Sequence, residues 1–220
     1  MSSGGMTALA ESSPKGVGTV VSITTMPEDD FEHWALTSGE RVEWVEGRVI
    51  VMAPASRRHV QLTGWIQSLM LVIVQQQRLG EVLGPEFMIR LRTGEKSRRA
   101  PDVLFVAAAR RSLLKPTYLD GPPDLAIEVV SPDSVARDWR EKYLAYESAG
   151  IREYWIVDPL SETLEAYALK RKKFHRIVPA GDGAVASSII PQFQLRPDWL
   201  WQDSLPSVVE VLNELGVPLS

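Results

Sequence analysis

The 220-residue chain contains no cysteine. Disulfides and thiolate metal sites are thereby excluded, and carboxylates and three histidines are left as the possible metal ligands. Positive charge is not in excess either: 24 Lys and Arg stand against 28 Asp and Glu, a net charge of −4. No global attraction to a polyanion follows, so any contact with nucleic acid would rest on local basic patches. Long apolar runs are also missing. The longest, "WIQSLMLVIV", is interrupted by Gln67 and Ser68, well below the roughly 20 residues that span a bilayer. The opening "MSSGGMTALAESSPKGVGTV" lacks the basic start and long apolar centre of a secretory signal. We expect a soluble, cytoplasmic protein with no membrane partner, residues 1–20 forming a flexible tail and 21–220 a single domain.

What is present is an alternation of helix and strand signals. Residues 26–39 start with Pro27 and acidic residues and end on Gly39, the marks of a short helix. Residues 41–53 read as two β-rich arms around Glu46 and Gly47, a two-residue hairpin. A long buried helix is predicted over 56–80, capped by Ser56 and closed by Gly80, with Val60, Thr63, Ile66, Met70 and Val74 at near-helical spacing. Residues 81–92 read as strand with a break at Gly84 and Pro85, "RTGEKSRR" as a loop, and 100–108 as a short apolar strand. A buried strand over 124–131 follows, then a helix over 134–150 capped by Ser134 and ended by Gly150, then a strand over 152–158. A hairpin across the basic turn 170–173, a late strand and a short final helix complete the chain. The pattern predicts an α/β fold: a mixed central sheet flanked by helices, with an N-terminal helix and hairpin and a C-terminal β extension.

One strand poses a chemical problem. In "DLAIEVVS", alternation puts Leu125, Ile127 and Val129 on one face and Ala126, Glu128 and Val130 on the other, so a carboxylate sits in an apolar setting. Such a group costs several kcal/mol unless it is paired or neutralised. Three explanations stand: a structural salt bridge, which an isolated Glu favours, a protonated catalytic acid, or a metal ligand. Asp102 opens the preceding apolar strand, and on its own would read as turn chemistry. Together, the two acids can place oxygen ligands side by side on adjacent strands, as a hard cation such as Mg²⁺ requires. Lys142 follows one turn after Asp138, which suits a surface ion pair, yet it borders the stripe of Trp139, Tyr143 and Tyr146 that faces the sheet. Glu43 alone reads as an exposed strand residue paired with Arg41 or Arg48. His59 alone reads as a packing or capping residue, although a helix start also favours phosphate. Arg57, Arg58, Arg98, Arg99 and the 170–173 turn are the basic patches available to a phosphate backbone.

The segments "VEWVEGRVIVMAPASRRHVQL", "APDVLFV", "DLAIEVVSPDS" and "DWREKYLAYESAGIREYWIVDP" resemble, in order and spacing, the Uma family of restriction endonucleases within the PD-(D/E)XK nucleases. The resemblance runs from about residue 26 to about residue 200. It implies a restriction-endonuclease-like core and Mg²⁺-dependent hydrolysis of DNA phosphodiesters, with Mn²⁺ as a substitute ion and a homodimer as the natural way to cut both strands. Carried over, Asp102 and Glu128 match the acidic ligands, Glu43 the acid of the N-terminal hairpin, and Lys142 a lysine moved onto the following helix. The position where the superfamily lysine normally stands holds Val130, a departure. The carbonyl of Val129 would complete the metal shell. Two other readings compete: a nuclease fold that binds nucleic acid or protein without turnover, and a glycosidase using the two acids, disfavoured because most of the seven tryptophans sit in core-like elements.

Overall fold

Turn chemistry and strand alternation sort the chain into two six-stranded sheets. The computed structural model describes residues 22–131 and 137–218; the expected tail over 1–20 and the Ser134 cap lie outside the described residues. The first sheet collects β1 (Ser22–Thr25), β2 (Val42–Val45), β3 (Arg48–Val51), β5 (Met88–Leu91), β6 (Ser97–Arg99) and β8 (Tyr118–Leu119), in the order β1-β3-β2-β6-β5-β8. The second holds β4 (Gly80–Leu83), β7 (Val103–Ala107), β9 (Leu125–Val129), β10 (Glu153–Asp158), β11 (Thr163–Lys170) and β12 (Lys173–Arg176), in the order β12-β11-β10-β9-β7-β4. β9 and β10 are parallel, so the chain must cross over between them, and it does so through α3 (Tyr143–Ala149). Both sheets are mixed, the first through its parallel β5–β8 pair, and the second answers to the expected central sheet.

Helices cover both faces of it. α2 (Arg57–Gln76) packs Leu62, Leu69 and Ile73 against Leu125, Ile127 and Trp155, while Ala126, Val130 and Tyr154 face Tyr146 of α3. The alternation read in β9 is thus the partition between two cores. α1 (Glu28–Ser38), closed by the left-handed Gly39, buries Phe31 on the first sheet. The β2–β3 hairpin turns at Glu46 and Gly47, both at positive φ, as a tight two-residue turn demands. Beyond β12 come the short strands β13 (Val185–Ala186) and β14 (Gln194–Leu195), then α4 (Pro197–Leu200) and α5 (Val208–Glu214), whose apolar residues join the α2 core. Among the described residues no helix is long and apolar enough to cross a membrane.

Several expectations are corrected. Residues 97–99 are not loop: β6 pairs with both β2 and β5 and is buried throughout. Its polar letters disguised a strand because the charges are paired inside the protein. The strand expected over 81–92 is two strands, β4 and β5, which enter different sheets. α2 stops at Gln76, and Gly80 begins β4 instead of closing the helix. A Cβ at Gly80 would lie 2.0 Å from the Val106 carbonyl oxygen, so close strand approach is what requires glycine there. Val60, expected on the buried face of α2, is exposed. The helix after β9 is π-wound over Arg137–Lys142 and α-helical only from Tyr143.

Candidate active site between the two sheets

β7 runs antiparallel to β9 with Val103 opposite Ile127, so Asp102, one residue before β7, faces Glu128. Asp102 Oδ2 accepts the Val129 N–H at 2.8 Å. Its Oδ1 lies 3.0 Å from His59 Nε2 and 3.3 Å from the Arg41 guanidinium. Ser56 caps α2 by accepting the His59 N–H, which fixes the first helical turn that delivers this imidazole. Glu128 is held by groups that follow it in the chain: Lys142 Nζ donates to Oε2 at 2.7 Å and the Tyr146 hydroxyl to Oε1 at 2.8 Å. Lys142 and Tyr146 are four residues apart, so one helical face supplies both.

Lys142 also stands 3.4 Å from Glu43 on β2. Glu43 in turn accepts from Arg99 at 3.0 Å and from the Ala100 N–H at 3.2 Å, and Arg99 donates on to Glu95 at 2.8 Å. The result is a row of alternating charge that crosses from one sheet to the other. None of Glu43, Asp102, Glu128 and Lys142 is more than 3 % exposed. Charges so deep are tolerated because each has an opposite partner, and removing one member of such a pair typically costs about 3–5 kcal/mol.

The electrostatics follow. Burial by itself would raise the Asp102 carboxyl, but the His59 hydrogen bond, the Lys142 charge and the Val129 N–H outweigh it and hold the pKa below the ordinary value. Burial, with the negative Glu128 and Glu43 nearby, pushes the Tyr146 phenol well above its usual range, so it stays a donor. Burial opposes the Arg99 charge, yet Glu43 and Glu95 raise its pKa overall.

A cavity of about 20 Å³ opens among Arg41, His59, Asp102, Glu128, Val129 and Lys142, room for one water-sized occupant. Its lining combines two carboxylates, whose hard oxygens are the kind Mg²⁺ prefers, with the nitrogens of Arg41, His59 and Lys142. No group of three or more His, Cys, Asp and Glu side chains able to hold a metal is found among the described residues. A cation at the two carboxylates would therefore keep water on its other positions, as Mg²⁺ commonly does.

The family described as "Uma2: Putative restriction endonuclease" matches residues 28–198. The chain belongs to the Uma2 family. A solved structure of "a putative nuclease belonging to DUF820 from Anabaena variabilis ATCC 29413" is similar with a TM-score of 0.62 and 19% identity, over 73% of this chain and 89% of the other. At that identity the likeness is one of fold. No curated protein matches.

For this Uma2 chain the structure brings Glu43, Asp102, Glu128 and Lys142 into one cluster, with Val129 and His59 against Asp102. Of the expected phosphate contacts it brings His59 against Asp102 and Arg99 against Glu43, but the two β6 arginines are not open to a phosphate. Arg99 is fully buried between Glu43 and Glu95, and Arg98 is buried between Glu28 and Glu32, so both are spent on internal carboxylates and withdrawn from any phosphate. Arg58 donates to the Leu200 carbonyl, and Arg57 is exposed on the first turn of α2. The sequence reading also missed two members of the Uma2 cluster. Arg41 lies two residues before Glu43 and Tyr146 four after Lys142, spacings that bring each pair to the same side of its element.

Proposed function

We propose that this protein is a metal-dependent endonuclease that hydrolyses DNA phosphodiesters, with Asp102 and Glu128 holding Mg²⁺, or Mn²⁺ in its place. The observation that carries this reading is that Asp102 and Glu128, opposite each other in the register of adjacent strands, line one small cavity with a buried lysine beside them. When bound, a divalent cation there would neutralise charge on the phosphate and make water more acidic. The protein's own groups divide the remaining work. Val129 and His59 fix the two Asp102 oxygens, and Tyr146 fixes Glu128. Lys142 offers an ammonium to the developing negative charge on phosphorus, and Glu43 holds that ammonium in place. Arg41, 27% exposed while touching Asp102, is the cation best situated to meet a phosphate arriving from solvent.

A second reading has one observation in its favour. Lys142 pairs with both Glu128 and Glu43, so the protein's own ammonium compensates these acids, which suits a nuclease-like domain that binds nucleic acid without turnover. Plasmid nicking separates the two. The first reading expects cutting with Mg²⁺ or Mn²⁺, none with EDTA, and a loss of about 100-fold or more in Asp102→Ala and Glu128→Ala. Variants that cut as well as the parent would end it, and binding without cutting under every metal condition would establish the second.

A further inference from the structure

On the other side of Arg41 from the small cavity lies a larger one, of about 300 Å³, between α1 and the first sheet. The two share Arg41, Met52 and Ala100 as a common wall. Its volume is at the lower bound of small-molecule sites. Phe31, Ala35, Leu36 and Met88 give it apolar walls, and Leu36 is 63 % exposed at the rim. Glutamates supply much of the polar lining. Glu32 and Glu43 are engaged with Arg98 and Arg99, but Glu40 and Glu86 line the space with no side-chain hydrogen bond or ion pair to another described residue.

That chemistry selects its occupant. Uncompensated carboxylates repel a phosphate, so the sugar–phosphate backbone has no place inside. A flat, apolar ring that carries N–H donors on its edge suits both the walls and the acceptors. An exocyclic amine is such a donor, as when a Glu accepts from cytosine N4. We infer that this cavity receives an unstacked nucleobase bearing an exocyclic amine, from a nucleotide whose phosphate lies at Arg41 beside Asp102. The inference rests on the nuclease reading for its substrate and deepens it: the substrate is single-stranded or locally unpaired at the site of cutting. A stacked, paired base cannot enter a recess between a helix and a sheet, and an unpaired one costs least to bring in. Thymine, with no exocyclic amine, is the poorest occupant.

Binding tests this apart from turnover. Fluorescence anisotropy of labelled oligo-dC and oligo-dT with the full chain, in EDTA, should give affinities that differ by roughly tenfold in favour of oligo-dC. The ratio of the two is the readout, because removing negative charge strengthens binding to both. In the Glu40→Ala/Glu86→Ala double variant, at exposed positions, the ratio should fall to about one. Ala35→Trp, which fills the cavity from α1, should do the same. A parent ratio near one, or a ratio unmoved in both variants, overturns the inference. The fate of the nuclease reading is decided separately: if plasmid is cut in an Asp102-dependent way while the ratio is one, only the base pocket falls. A pocket-dependent ratio alongside Asp102→Ala that cuts like the parent keeps the pocket and removes the nuclease reading.

Discussion

A full negative charge in the middle of β9 is met by two protein groups, Lys142 and Tyr146, delivered by one face of the helix that follows. The salt-bridge explanation for Glu128 is therefore visible in the structure, while the ligand explanation rests on the proposed chemistry. Asp102 differs in kind, since its partners are a histidine, an arginine and a backbone N–H. Its pKa is depressed in the folded protein, so its ionisation adds stability that is fully present above the ordinary value of 3.8 and is lost as pH falls through the lower folded value. Thermal unfolding in a chelator should show a constant gap between the parent and Asp102→Asn at pH 5–7, narrowing below about pH 4. A gap independent of pH would show that ionisation at Asp102 contributes nothing. Residue types and strand period raised Asp102 and Glu128, and the aromatic stripe raised Lys142, as candidates in the sequence; their roles came from the family resemblance. Arg98 and Arg99 were misread because a run of charges looks solvated, and their carboxylate partners on α1 and β2 are named only by the tertiary fold.

At the scale of elements, local signals located most of the chain. Gly39 and Gly150 end their helices in the left-handed conformation, Ser56 caps α2, and the hairpins turn where the turn residues stand. What local signals did not carry is sheet membership. β4 and β5 are separated by a four-residue connection yet belong to different sheets, and β6 is a strand only because β2 and β5 flank it. Gly80 belongs to this level: it lets β4 approach β7 more closely than any side chain allows. Gly80→Ala would put a Cβ 2.0 Å from the Val106 oxygen and 2.9 Å from the Ala107 Cα, both backbone atoms that cannot simply rotate aside. Urea unfolding should register a loss of at least the roughly 1–3 kcal/mol typical of overpacking, with β4 and β7 amides losing exchange protection first. An unchanged midpoint would mean that the two strands part without cost.

For the molecule as a whole, the charge row is the place where the two sheets meet: Glu43 and Arg99 come from the first, Asp102 and Glu128 from the second or its threshold, and Lys142 and His59 from the helices over it. The C-terminal segment has a different task. Leu200, Val211, Leu212 and Val217 are buried in the same cluster as α2 and β10, and the Pro206 carbonyl accepts the Trp65 indole N–H. Leu200, Pro206, Val211, Leu212 and Val217 all lie past residue 198, where the family match stops. The border drawn by family likeness is therefore not the border at which this polypeptide can be cut. A gene shortened to end at codon 198 should yield protein that sediments with the insoluble fraction, whereas the 220-residue chain stays in the supernatant; equal recovery would mean that the last turns are dispensable wrapping.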